Sequence, residues 1–235
     1  MVNNFFQFKV FRVEQGRCAQ KVTSDACLFG AFVAAKARRP RRILDVGAGT
    51  GLLSLMLAQE TEAPLIDAVE VAEDAATQCA SNFEASPWSP RLRVARSRVQ
   101  DLRRLSYDVI VANPPFFRAG RKPLDEARSR ARHQGDLPLQ DLARAADRLL
   151  ADAGDFWALL PRDEQQLLRE ELLSLSGGFQ TQTRAAIRST PAKDPHLTIA
   201  CYSRGPAAAA AAAADDEEEV LLTVWRGGPG RAGGG

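Results

Sequence analysis

The 235-residue chain reads as an α/β protein: a mostly parallel seven-stranded sheet with helices on both faces and an antiparallel hairpin at one edge. Three observations predict this. From residue 41 onward, strand-like apolar runs alternate with helical segments, the pattern of repeated βα units. The runs are apolar throughout, as strands buried on both faces must be. Two late strand-like runs then follow each other without a helix between them, which suits an antiparallel return.

The elements follow in order. "FFQFKVFRVE", residues 5 to 14, alternates apolar and polar side chains and predicts one N-terminal strand. "SDACLFGAFVAAKA" has helical apolar spacing, with Ser24 or Asp25 as the expected N-cap. "RRILDVG" is a buried strand, "TGLLSLMLAQE" a helix, "PLIDAVEV" a second strand and "EDAATQCASNFEAS" a second helix. "RLRVARS" is a short third strand and "YDVIVANP" a fourth. "LPLQDLARAADRLLADAG" predicts a helix ending at Gly154 that feeds the strand "DFWALLP". After the helical "RDEQQLLREELLSLSGG", the runs "TQTRAAIRS" and "HLTIACYS" predict the hairpin.

These elements divide the chain into an N-terminal strand and helix extension over residues 1–40 and a core over 41–203. Residues 204–219, "RGPAAAAAAAADDEEE", form a low-complexity linker with nothing to bury. Residues 220–226 can add one further strand, and 227–235 are expected to be a flexible tail.

Composition bounds the function. An apolar share of 45% supports a real core, and no apolar run reaches the length of a membrane span. The N-terminus lacks the charged start and apolar block of a signal peptide. Cys18, Cys27, Cys79 and Cys201 are far apart in sequence without a CxxC pair, so they read as reduced thiols of a cytoplasmic protein with no metal site. The net charge of +2 decides nothing about nucleic acid. Its distribution says more, since Arg118, Arg121, Lys122, Arg128, Arg130 and Arg132 crowd one segment against Asp125 and Glu126. The oligomeric state is left open.

The chemistry concentrates at two strand ends. "ILDVGAGTG" places Gly47, Gly49 and Gly51 between a strand and a helix, where glycines allow a tight turn and close ligand approach. A dinucleotide loop needs GxGxxG; here the third glycine comes one residue early and Leu52 holds its position. Asp45, two residues before the first glycine, would repel a phosphate and suits a cationic ligand. S-adenosylmethionine carries an ammonium and a sulfonium and no phosphate. Glu70 ends the second strand, where a carboxylate can accept from both hydroxyls of an adenosine ribose. Gln100 and Asp101 fall where an adenine amino group could be bound, although a plain loop explains them equally well.

The fourth strand ends in "NPPFF". Two prolines remove two donors and hold the backbone rigid. Asn113 Oδ1 and the Pro114 carbonyl, held by Pro115, can accept from both N–H groups of an amine whose lone pair is delocalised into a ring or carbonyl. Phe116 offers a face for a flat base. An ordinary strand-to-loop turn is the bland alternative, and it weakens once the glycine loop and Glu70 stand upstream.

"DVGAGTG", "AVEV" and "NPPF", in this order, resemble class I S-adenosylmethionine-dependent methyltransferases with a Rossmann-like fold that act on amino nitrogens. With "CAQKVTSDACLFGAF", "SNFEASPW" and "RARH", residues 5 to 203 resemble the bacterial valine-tRNA adenine-37 N6-methyltransferases. The resemblance implies S-adenosylmethionine as cofactor and tRNA as partner. It places Gly47, Gly49 and Gly51 at the methionine part of the cofactor, Glu70 at its ribose, and Asn113 to Phe116 around the target amine. Lys21, Thr23 and Asp25 match a motif before the core that helps close the cofactor pocket. "RARH", Arg130 to His133, belongs to a loop facing RNA, where His133 is as readily a surface histidine as a contact. The C-terminal ending departs from the family's aromatic-rich helical one. Ribosomal guanine N2 and a protein glutamine remain alternative acceptors, and a non-catalytic RNA-binding protein on this fold is the reading from another class.

Overall fold

The computed structural model describes residues 3–103, 105–115, 137–175, 178–204 and 220–224. The strands are β1 (Phe5–Gln7), β2 (Arg12–Glu14), β3 (Arg42–Val46), β4 (Leu65–Glu70), β5 (Leu92–Arg96) and β6 (Tyr107–Ala112). They continue as β7 (Leu150–Leu160), β8 (Phe179–Arg188), β9 (Leu197–Arg204) and β10 (Val220–Thr223). The helices are α1 (Ser24–Lys36), α2 (Leu52–Glu60), α3 (Glu73–Glu84), α4 (Leu139–Leu149) and α5 (Arg162–Ser174).

The main sheet has the order β10-β8-β9-β7-β6-β3-β4-β5. Strands β3 to β7 pair in parallel, β9 runs antiparallel between β7 and β8, and β10 joins β8 in parallel. The expected seven strands and edge hairpin are present, and β10 makes an eighth. Successive residues of β3 point to opposite faces and join different cores. Ile43 packs with Phe29, Val33, Leu53, Leu57 and Phe83 beneath α1, α2 and α3. Leu44 and Val46 pack with Leu142, Leu149, Leu168 and Leu172 beneath α4 and α5. Two buried faces explain why these strands carry no polar alternation. No helix among the described residues is long and apolar enough to cross a membrane.

Three expectations are corrected. Residues 5 to 14 form two strands of a separate hairpin, β1 and β2, rather than one strand. The Phe8 amide donates to the Phe11 carbonyl at 2.9 Å and the two rings stack at 4.4 Å, so the apolar spacing runs through the turn and hides it. The cap of α1 is Thr23, extended at φ −118° and ψ 157°, whose hydroxyl accepts from the Ala26 amide at 3.1 Å; Ser24 is already helical.

The helix expected to reach Gly154 stops at Leu149, and β7 begins at Leu150. Tyr107 pairs with Leu150 but Val109 pairs with Asp155, so two steps of β6 face five of β7. Gly154 lies in this bulge, where a Cβ would meet the Tyr107 and Asp108 carbonyl oxygens at 2.9 and 3.0 Å. The alanine-rich stretch favours helix locally, and the ladder to β6 overrides it.

Candidate active site

Ligands of open α/β sheets sit at the carboxyl ends of strands where the strand order reverses. Here the chain passes outward from β3 to β4 and β5, then returns to the other side of β3 as β6. Val46 at the end of β3 is in register with Ala112 at the end of β6 and with Val69 near the end of β4. The residues that follow, Gly47 and Asn113, therefore leave neighbouring strands, whose spacing is about 4.8 Å. Register alone brings the glycine loop, Glu70 and the Asn-Pro-Pro turn to one place.

The loop after β3 is tied to β4. Gly47 and Ala48 both donate to the Val69 carbonyl, at 2.9 and 3.0 Å. Gly49 donates to Glu70 Oε2 at 2.9 Å, and Ala72 donates to Glu70 Oε1 at 2.9 Å. Each carboxylate oxygen has a second lone pair, so Glu70 can still accept from two hydroxyls. Gly47, Gly49 and Gly51 all have positive φ, at 71°, 55° and 79°. A Cβ on Gly47 or Gly49 would meet nothing within 4 Å among the described residues, which leave this part of the loop open. A Cβ on Gly51 would come within 2.6 Å of Phe83 and 2.8 Å of Cys79, so that glycine lets α3 approach the loop.

Asp45 is 1% exposed. Its Oδ2 accepts from the amide and hydroxyl of Ser54, at 3.1 and 2.8 Å, which caps the start of α2. Its Oδ1 is buried without a partner among the described residues. Burial pushes the carboxyl up to about 6; the Ser54 bonds oppose the shift and the charge of Glu70 adds to it. A buried carboxylate with an orphan oxygen calls for a donor or a cation, and an ammonium supplies both. The residues present thus fit S-adenosylmethionine: Asp45 for the charge, the open loop for close approach, and Glu70 for the ribose.

Asn113 is half-buried beside buried Pro114 and exposed Pro115. No described residue hydrogen-bonds its side-chain amide. Lys21 donates its ammonium to the Gln15 carbonyl and lies beside buried Cys18. The Cys18 thiol is pushed up to about 11, first by burial and then by the charge of Glu70, so it stays protonated near neutral pH. Asp25 Oδ2 sits 3.3 Å from His196 Nε2 and links α1 to the start of β9. The Gln100 amide donates to Asp141 Oδ2 at 2.9 Å, while Asp101 is exposed on a 3-10 turn. Phe116, Arg118, Arg121, Lys122, Arg128, Arg130, Arg132 and His133 lie outside the described residues. Among the described residues, no group of three His, Cys, Asp or Glu side chains could hold a metal ion.

Reasoning from sequence alone missed the amides of Asn82 and Gln78. Both lie on the buried face of α3, 2% and 8% exposed, and bond to backbone of residues 14 to 17. A signal was present: two amides four apart within the stripe carrying Ala75, Cys79 and Phe83, where only satisfied polar groups are tolerated.

The family described as methyltransferase small domain matches residues 25–174. A Tolumonas auensis protein named tRNA1(Val) (adenine(37)-N6)-methyltransferase is 40% identical over 208 residues, covering 88% of this chain and 86% of its own. One of the same name from Aeromonas salmonicida is 39% identical over 206 residues, covering 86% and 85%. Among solved structures, the ribosomal protein L11 methylase of Lactobacillus delbrueckii subsp. bulgaricus is similar with a TM-score of 0.60 at 15% identity, covering 83% of this chain and 84% of that one. Trm5b of Pyrococcus abyssi is similar with a TM-score of 0.57 at 14% identity, covering 86% of this chain and 57% of that one. At such identities the likeness concerns the fold.

Proposed function

The chain belongs to the methyltransferase small domain family, beside relatives named tRNA1(Val) (adenine(37)-N6)-methyltransferase, and from that membership we propose that it transfers a methyl group from S-adenosylmethionine to the N6 amine of an adenine in tRNA. Adenine 37 of valine tRNA, next to the anticodon, is the proposed site, and the cytoplasm the proposed location. One observation supports the reading at this site: the Asn113 turn and the glycine loop leave neighbouring strands in register, and Asp45 below the loop has a buried oxygen with no partner among the described residues.

When bound, S-adenosylmethionine supplies an electrophilic methyl group on a positively charged sulfur. Asp45 balances the ammonium, and Glu70 accepts from the ribose hydroxyls with its remaining lone pairs. An adenine amine is a weak nucleophile because its lone pair is delocalised into the ring. Asn113 Oδ1 accepts one N–H and the Pro114 carbonyl the other, which favours a pyramidal nitrogen. Pro115 holds that carbonyl still, so alignment of the amine with the methyl contributes much of the acceleration. Phe116 is proposed to stack on the base, and Arg118, Arg121, Lys122, Arg128, Arg130, Arg132 and His133 to contact the RNA.

The deciding experiment digests tRNA incubated with the enzyme and labelled cofactor and identifies the nucleosides by mass spectrometry. Label in N6-methyladenosine is expected. Label on guanine N2, or none, overturns the assignment.

A further inference from the structure

We propose that Asn82 is a positioning residue of the cofactor pocket, locking the glycine loop and the N-terminal segment into one arrangement. The proposal rests on the reading that this pocket takes S-adenosylmethionine. The Asn82 side chain spans three chain segments while 2% exposed. Its Oδ1 accepts from the Glu14 amide at 2.9 Å, and its Nδ2 donates to the Glu14 carbonyl at 2.8 Å. That exchange copies a pair of antiparallel strands, with a side-chain amide in place of a backbone. The same Nδ2 donates at 2.8 Å to the carbonyl of Thr50, the residue between Gly49 and Gly51.

The segment after β2 depends on such bonds, because residues 15–23 contain neither strand nor helix. One turn before Asn82, Gln78 Oε1 accepts from the Arg17 amide at 3.3 Å. Buried Gln15 donates to the Asn3 carbonyl at 3.0 Å and accepts from the Val22 amide at 2.8 Å. The segment so held buries Cys18 near enough to Glu70 and Asp74 for their charges to act on its thiol, which places it, on the proposed reading, beside the ribose position. One buried amide thus sets both the floor of the pocket, through Thr50, and the N-terminal segment beside it, through Glu14.

An amide is required for both jobs. Aspartate keeps the acceptor for the Glu14 amide but turns an oxygen toward two carbonyls. Leucine leaves one donor and two acceptors of the backbone unpaired in a buried place. Asn82 touches no reacting group, so its loss acts on cofactor affinity and spares the chemical step.

The test uses the full chain as wild type, Asn82→Asp, Asn82→Leu and Gln78→Leu. It measures S-adenosylmethionine binding by calorimetry and steady-state methylation of tRNA. Asn82 variants are expected to weaken cofactor binding about tenfold and raise its KM in step, with kcat at saturating cofactor within about twofold. Gln78→Leu, which removes the Arg17 bond and leaves those of Asn82 in place, should weaken cofactor binding about threefold. Wild-type cofactor affinity in folded Asn82 variants, or in Gln78→Leu if the former do not fold, overturns the proposal, as does a kcat that falls as far as affinity. A wild-type protein that fails to bind the cofactor takes down the functional reading, and this proposal with it.

Discussion

Replacing each loop glycine in turn by alanine separates three roles that the spacing of glycines does not distinguish. All three have positive φ, at 71°, 55° and 79°, so each alanine accepts a left-handed conformation costing about 1–2 kcal/mol. For Gly47 and Gly49 that strain is the expected effect on folding, since the added methyl meets nothing within 4 Å among the described residues. At Gly51 the methyl lies 2.6 Å from Phe83 and 2.8 Å from Cys79. Those side chains are 3% and 0% exposed, so they can yield only by displacing other buried groups. Overpacking a buried contact adds about 1–3 kcal/mol, so Gly51→Ala should lose about 2–5 kcal/mol, against a domain stability of about 5–15. Urea unfolding at constant m measures the losses. Binding by calorimetry should give the opposite ranking. Gly47→Ala and Gly49→Ala fill space meant for ligand and should weaken S-adenosylmethionine about tenfold or more, while folded Gly51→Ala keeps most of its affinity. Equal destabilisation at Gly47 and Gly51, or unaltered affinity in Gly47→Ala and Gly49→Ala, refutes the assignment.

Asn113→Ala should lower kcat by about two to three orders of magnitude, the scale of one lost aligned hydrogen-bonding group, with cofactor affinity near wild type; a wild-type kcat would sink its role. The carboxyl of Asp45 is raised to about 6, above its unfolded value, so two opposite pH effects follow. Above pH 6 the native state holds a buried charge; as pH falls from 6 towards 4 it binds a proton ahead of the unfolded chain, and this group's contribution to stability improves. Cofactor affinity should move the other way, falling below pH 6 by a factor approaching about ten per pH unit as the ammonium loses its counter-charge. Asp45→Asn should flatten both profiles, and an unchanged affinity profile in that variant would count against the pairing. Neutralising Arg128, Arg130 and Arg132 should raise the KM for tRNA and reduce the slope of log affinity on log salt by about 0.7–0.9 per lost phosphate contact; an unchanged slope assigns the arginines elsewhere. Gly154→Ala, pressed on two backbone oxygens 2.9 and 3.0 Å away, should destabilise the sheet while leaving cofactor affinity per folded molecule unaltered, which thermal unfolding and calorimetry together would check.

Much of the fold was legible because the physics behind it is local in sequence. Strands buried on both faces show as continuous apolar runs, and "RRILDVG" and "YDVIVANP" became β3 and β6 close to their expected bounds. Reading failed where a contact distant in sequence overrode a local preference. "RLLADAG" has the composition of a helix, yet from Leu150 onward its backbone joins β6. The phenylalanine spacing of residues 5 to 14 suits one strand, yet Phe8 and Phe11 fold back to stack. Thr23 rather than Ser24 caps α1, because the capping residue must itself be extended.

The candidate site divides the same way. Asp45, the glycines, Glu70 and Asn113 were candidates in the sequence because each lies at or beside a strand end, and a parallel sheet brings such ends to one edge. Their separate tasks were not legible there. Burial leaves Asp45 with one satisfied oxygen and one that has no partner among the described residues. The approach of α3 makes Gly51 a packing glycine, while Gly47 and Gly49 face no described residue. Asn82 bonds to Glu14, 68 positions away. Sequence alone determined which residues stand at the strand ends, because strand and turn preferences act between near neighbours. The tertiary structure decided which of their atoms are paired, crowded or free, because burial and hydrogen bonding depend on segments that meet only when the sheet has formed.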